Sequence, residues 1–260
     1  MEYKLFTPDL QEFPEQIRPW LQNGKIYDCS CSRIARTMFI DEGEGFYLKK
    51  APKGTLEKEA AMTRWYAEKN LAAPVEIYLS DEEDWLLKKN VKGQDLTDKR
   101  YLSQPEKLVD FYAESLWILH SMDPALCPDQ HYRDTYRGVI EKRYVEIKRQ
   151  PETWKQEMFS TVDEAKRYVD ENIPYLKDDV VIHGDYCLPN VIADDWKFSG
   201  FIDLGNSGVF DRHVDIYWAL WSLSFNLKTE RYCDRFIDAY GRSKVDEEAL
   251  KVVAACENFG

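Results

Sequence analysis

Val180–Asp203, VVIHGDYCLPNVIADDWKFSGFID, is the stretch on which the reading of this 260-residue chain turns. Its opening apolar residues, Val180 to Ile182, have the β-branched character of a buried strand, and they stop at a turn carrying His183, Gly184 and Asp185. Asn190 stands five residues after Asp185, a hairpin follows, and Asp203 comes directly after the apolar pair Phe201-Ile202. A tight hairpin brings its two ends together, so the spacing predicts that Asp185, Asn190 and Asp203 meet at one place. Taken singly, each is an ordinary turn residue that accepts backbone hydrogen bonds. Taken jointly, they are oxygen donors of the kind Mg²⁺ prefers, with a further carboxylate free for proton chemistry.

Protein kinases arrange a base-like Asp, an Asn five residues later and a second Asp after a short strand in this way. There the first Asp orients the acceptor hydroxyl and takes its proton, while the Asn and the second Asp hold magnesium. The likeness narrows further outward. HGDYCLPN at 183–190, FSGFIDLGNSG at 198–208 and DRHVDIYWAL at 211–220 closely resemble the aminoglycoside 3'-phosphotransferases, a family with the eukaryotic-kinase fold. The family signature HGDxxxxN followed by GFIDxG stands at His183–Asn190 and Gly200–Gly205, and the weaker patterns YLK and LxxxHSxD extend the resemblance over nearly the whole chain. It implies an α+β, bilobal protein-kinase-like fold. A small β-rich N-lobe, residues 1–91, would bind nucleotide, and a larger, mainly helical C-lobe, residues 92–260, would carry catalysis and substrate binding.

The pattern of the remaining chain agrees with that plan. Residues 36–40 and 45–49 read as strands around the turn Asp41 to Glu44, and Thr55 or Leu56 opens a helix to about Asn70. Val75 to Leu79 and Trp85 to Leu87 read as strands joined by the acidic turn Asp81 to Asp84, and Lys92-Gly93 is a natural lobe boundary. Beyond it, Ser103-Gln-Pro-Glu106 has the form of a capping box before a helix through Leu119. A charged, aromatic-rich stretch from about 129 to 174 reads as a helical insertion or lid. Helices over 215–227, 229–240 and 245–258 complete the chain, the second stopped by Gly241.

By motif, the resemblance assigns Asp185 as catalytic base and Asn190 and Asp203 as metal ligands. Lys49 would contact the nucleotide's α- and β-phosphates with Glu59 as its helix partner, although Lys50 is an adjacent rival. Ser30 and Ser32 lie where the family places its nucleotide-positioning loop, which here has no GxGxxG, and Lys89 to Val91 would be the hinge that meets adenine. Asp215 would brace the catalytic loop. On the substrate side the resemblance points to Glu152, Glu157 and Glu257, carboxylates suited to ammonium groups. Three positions depart from the family pattern: Lys155 stands where an acid is expected, Cys256 beside Glu257 replaces one of a terminal acidic pair, and Asn206 replaces a common Arg.

Composition sets the outer limits. Thirty-five basic against 47 acidic residues give a net charge of −12, which disfavours nucleic acid and anionic membrane and suits a cationic partner. Six scattered cysteines fit a reduced compartment, and Cys29-x-Cys31 lacks the second pair of a zinc site. The N-terminus MEYKLFTPDL lacks a signal-peptide core, so the cytoplasm is the expected location. The implied activity is phosphorylation of an aminoglycoside, at its 3'-hydroxyl, from ATP or GTP with Mg²⁺, and its consequence is antibiotic resistance. Two alternatives stay open on the sequence: a kinase of another amino sugar or cationic metabolite, and a catalytically silent nucleotide-binding protein on the same fold.

Overall fold

A computed structural model describes residues 3–31, 34–154 and 158–259. In chain order its elements begin with β1 (Lys4–Phe6), β2 (Lys25–Asp28), β3 (Arg36–Asp41), β4 (Phe46–Pro52), α1 (Glu57–Ala67), β5 (Val75–Ser80), β6 (Glu83–Lys89) and β7 (Gln94–Asp95). Helices α2 (Lys99–Leu102), α3 (Pro105–His120), α4 (Tyr132–Arg149) and α5 (Val162–Asn172) follow, then β8 (Val180–Ile182), β9 (Val191–Asp194), β10 (Lys197–Phe201) and β11 (Gly208–Phe210). The chain closes with α6 (His213–Leu227), α7 (Cys233–Tyr240) and α8 (Glu247–Glu257). It divides into two units, Met1–Gln94 with Ile192–Gly205, and Asp95–Val191 with Asn206–Gly260.

In the first unit, six strands form a sheet in the order β1-β2-β3-β4-β6-β5, paired antiparallel. Strand alternation sorts its side chains. Met38, Ile40, Leu48, Trp85 and Leu87 enter one core with Phe13, Ile17 and Leu21, while Ala51 and Leu86 meet Leu56 and Ala60 of α1 and its N-cap on the other face. Lys49 stands opposite Leu86 in the register, and so shares the face that α1 covers. The acidic stretch before β6 is more than a turn. Asp84 is fully buried, accepts from the Leu56 amide at 2.7 Å and the Ser80 hydroxyl at 2.7 Å, and thereby fixes the start of α1.

The hairpin β9–β10 belongs to this first unit although it lies a hundred residues downstream. Phe201 N–H donates to Leu71 O at 2.7 Å, Lys92 pairs with Asp194 at 2.8 Å, and the Tyr66 and Phe201 rings meet edge to face. Gly93, at φ +119, lies so close to Ala193 O that a Cβ would sit 2.2 Å from it.

In the second unit, β8 and β11 pair antiparallel, Val181 opposite Val209. Val180, Ile182 and Phe210 enter a core with Tyr136 and Ile140 of α4, Val169 of α5 and Val252 and Val253 of α8. The stretch expected as a helical insertion holds α4 and α5. The capping-box reading at Ser103 is corrected. Ser103 ends α2, its hydroxyl donating to Arg100 O, and α3 starts after Gln104 with Pro105 in its first turn. Glu106 turns instead to Arg231 and Tyr232. Among the described residues no helix is long and apolar enough to cross a membrane.

Candidate active site

The motif residues divide between the two units. In the second, β8 delivers the chain to His183-Gly184-Asp185, and three contacts fix the loop. Asp215, fully buried in the first turn of α6, accepts from the His183 amide at 2.7 Å and the Gly184 amide at 2.8 Å, with His120 Nε2 3.1 Å away. Gly184 has φ +78, and a Cβ there would lie 2.0 Å from Asn206 O, so only glycine fits. Tyr186 is clamped by Tyr112: each hydroxyl donates to the other's carbonyl, at 2.6 and 2.8 Å, and the rings stack 4.6 Å apart.

Asp185 is thus presented on a hydrogen-bonded turn, and Asn190 holds it. Asn190 Nδ2 donates to Asp185 O at 2.8 Å and to Asp185 Oδ2 at 2.9 Å. This fixes the amide's orientation, because its nitrogen faces Asp185 and its oxygen, a hard donor, faces away. Asp215 takes the bracing position that the resemblance implies. His120 and Tyr112, which the sequence shows only as helix positions, join the same network through α3.

The first unit carries the cationic set. Lys49 Nζ donates to Glu59 Oε1 at 2.8 Å, to Glu59 Oε2 at 3.0 Å and to Asp203 Oδ1 at 2.7 Å. Burial would lower the Lys49 pKa, but Asp203 and Glu59 outweigh it and hold the ammonium well above its ordinary range. Lys50 points elsewhere, to Glu83 at 2.7 Å and over the Trp85 ring, which settles the rivalry in favour of Lys49 as the partner of Glu59. Asp203 adopts φ +59, a left-handed conformation that Asp tolerates, and its side chain keeps 44% of its surface exposed. A buried lysine that no motif points to, Lys88, donates to Glu59 Oε1 at 2.9 Å.

In the stretch expected to meet adenine, the Lys89 amide donates to Pro74 O and the Asn90 amide to Gly45 O. Ser30 closes its loop onto β3, its hydroxyl accepting from the Thr37 amide at 2.9 Å, while its own amide donates to Asp28. Ser32, Lys155 and Glu157 lie outside the described residues.

Of the three acids expected on the substrate side, Glu152 and Glu257 are described. Glu152 is exposed in the 3-10 turn Pro151–Thr153, and the next residue but one, Trp154, packs its ring 5.8 Å from Phe259 near the C-terminus. Glu257 ends α8 and accepts from the Tyr136 hydroxyl at 2.6 Å. Burial and the nearby Asp185 charge raise the Glu257 pKa to about 7, against the lowering effect of hydrogen bonds from Tyr136 and Trp218. The Tyr136–Glu257 contact is invisible in the sequence because it depends on how α4 packs. Cys256, one of the departures from the family pattern, is a core thiol 2% exposed, pushed up to about 12 chiefly by burial.

Residues 32–253 match the phosphotransferase enzyme family model. The chain is 42% identical over 253 residues to the probable aminoglycoside 3'-phosphotransferase of Lactococcus lactis subsp. lactis strain IL1403, covering 97% of both chains. It is 33% identical to the aminoglycoside 3'-phosphotransferase of Niallia circulans, covering 84% of each. Among solved structures, an aminoglycoside-3'-phosphotransferase of type VIII superposes with a TM-score of 0.72 at 23% identity, over 90% of this chain and 91% of that one. That likeness bears out the α+β, kinase-like fold.

Proposed function

Because the chain belongs to the phosphotransferase enzyme family, we propose that it transfers the γ-phosphate of ATP or GTP to an aminoglycoside, at the drug's 3'-hydroxyl. The observation that carries this reading is the braced Asp185–Asn190 loop, in a chain 42% identical over nearly its whole length to a relative named for that activity.

The chemistry follows from what each group offers. Asp185, held by Asn190, has a carboxylate able to accept the proton of a sugar hydroxyl as its oxygen bonds to the γ-phosphorus. The bond from that phosphorus to the β,γ-bridging oxygen breaks, and the nucleoside diphosphate leaves with the electron pair. Lys49 would donate to the α- and β-phosphates, with Glu59 fixing it. The first unit would hold the nucleotide, its base against the Lys89 carbonyl and the Val91 amide, and its phosphates under the Ser30–Ser32 loop. Asn190 and Asp203 supply oxygen donors that fit Mg²⁺. That ion, when bound, would neutralise phosphate charge. Glu152, Glu157 and Glu257 would pair with the ammonium groups of the drug, which a net charge of −12 would also attract. The buried Cys256 lies in the core, so its departure from the family pattern removes no exposed acid. ATP supply fits a cytoplasmic site of action, and a phosphorylated drug, carrying new negative charge, would bind RNA less well.

The test is nucleoside diphosphate release by the purified chain with ATP, Mg²⁺ and kanamycin. The proposal expects drug-dependent release that falls at least about 100-fold in Asp185→Ala, the scale of a lost general base. Release unchanged within a few-fold in Asp185→Ala would remove that residue from the chemistry. Nucleotide binding without turnover of any hydroxyl compound would favour a silent binding protein.

A further inference from the structure

Glu59 is paired twice. One partner is Lys49; the other is Lys88, which belongs to none of the motifs. Lys88 stands opposite Tyr47 on β6, two residues along from Leu86, the register partner of Lys49. Alternation therefore sends both lysines to the same face of the sheet. There Lys88 Nζ donates to Glu59 Oε1 at 2.9 Å and lies 3.8 Å from Asp203 Oδ1, with 8% of its side chain exposed.

A buried ammonium is costly to hold, and leucine fills the two preceding positions of the same strand. The charges show what the ammonium does. Lys49, Lys88, Glu59 and Asp203 sum to zero; without Lys88 the cluster carries one net negative charge at a place meant for phosphates. The hydrogen bonds show the same. All three Lys49 donors are engaged, two by Glu59 and one by Asp203. To reach a phosphate Lys49 must release a carboxylate oxygen, and Glu59, 6% exposed, would lose part of its pairing in a dry setting.

We propose that Lys88 is a second positioning lysine of the nucleotide site, holding the Glu59 carboxylate so that Lys49 can turn its donors to the nucleotide phosphates. This rests on the phosphotransfer reading of the same site and deepens it. Without Lys88, Lys49 stays drawn to the two acids and the polyanion meets a more negative site, so nucleotide affinity suffers before turnover does.

Calorimetric ADP binding and steady-state kinetics on Lys88→Met and Lys88→Arg test this. Lys88→Met should weaken ADP binding and raise the nucleotide KM about tenfold, the scale of one charged hydrogen bond. Its kcat should stay within about threefold, and its aminoglycoside KM should not move. Lys88→Arg, which keeps the charge, should restore most of the nucleotide affinity. If Lys88→Met does not fold, Lys88→Gln, a neutral donor of similar reach, must weaken ADP binding at least about fivefold. ADP affinity within twofold of the parent in a folded neutral variant overturns the proposal. So does a loss confined to kcat. A parent protein that phosphorylates no hydroxyl compound would sink the phosphotransfer reading, while the ADP titrations would still decide whether Lys88 positions the nucleotide site.

Discussion

Glu257 gives the residue scale its sharpest pH signature. Burial raises its pKa from the ordinary carboxylate value to about 7. Between about 4.5 and 7 the native chain therefore holds a proton that the unfolded chain has released, so this group's contribution to stability falls as pH rises through that window and levels off above it. Substrate recognition should run the other way. An ammonium group prefers the ionised carboxylate, so the aminoglycoside KM should fall as pH rises from 6 to 8. Glu257→Gln should raise the KM and flatten that part of the profile. A KM profile left unchanged by the substitution would remove Glu257 from the substrate site. Asp185, Asn190, Asp203, Lys49 and Glu59 are legible in the sequence because fixed spacing in a hairpin and a motif carries them. Lys88 and Tyr136 are not. Their partners come from the β4–β6 register and from the packing of α4, which no local pattern records.

Asp84 makes the matching point for elements. As a letter it reads as part of an acidic turn, yet it is buried at the start of β6 with the α1 entry hydrogen-bonded to it. Burial alone would raise its pKa, but hydrogen bonds from the Ser80 hydroxyl and the Leu56 and Gly54 amides outweigh that and keep it low. Asp84→Ala leaves the Leu56 amide without its acceptor and should destabilise the protein by about 1–3 kcal/mol. Thermal or urea denaturation checks this, and a change below about 0.5 kcal/mol would show that the cap is dispensable. The nucleotide KM should rise with it, since α1 carries Glu59. Element boundaries are legible within a few residues where periodicity is strong, as in α6 and α8. The capping box fails because Pro105 and Gln104 start α3 one residue later than the motif predicts, which leaves Ser103 to close α2. Strands β1 and β2 do not separate in the sequence. They are three and four residues long, and it is pairing that defines them.

For the whole molecule, the division into a β-rich and a helical part is legible from the change of periodicity near Lys92-Gly93. The attachment of the 192–205 hairpin to the first unit is not, because it depends on contacts to Leu71 and Lys92 across a hundred residues of sequence. Asp203 at the end of that hairpin belongs to the first unit, and Asn190 to the second. The acceptor hydroxyl is where the proposed function can fail most plainly. Steady-state phosphorylation of kanamycin and of a 3'-deoxy aminoglycoside by the purified protein, with ATP and Mg²⁺, is the decisive assay. Transfer to the 3'-hydroxyl predicts turnover of kanamycin and none of the 3'-deoxy compound. Equal turnover of both would move the transfer to another hydroxyl, and silence on both with turnover of a simpler amino sugar would contradict the assigned substrate.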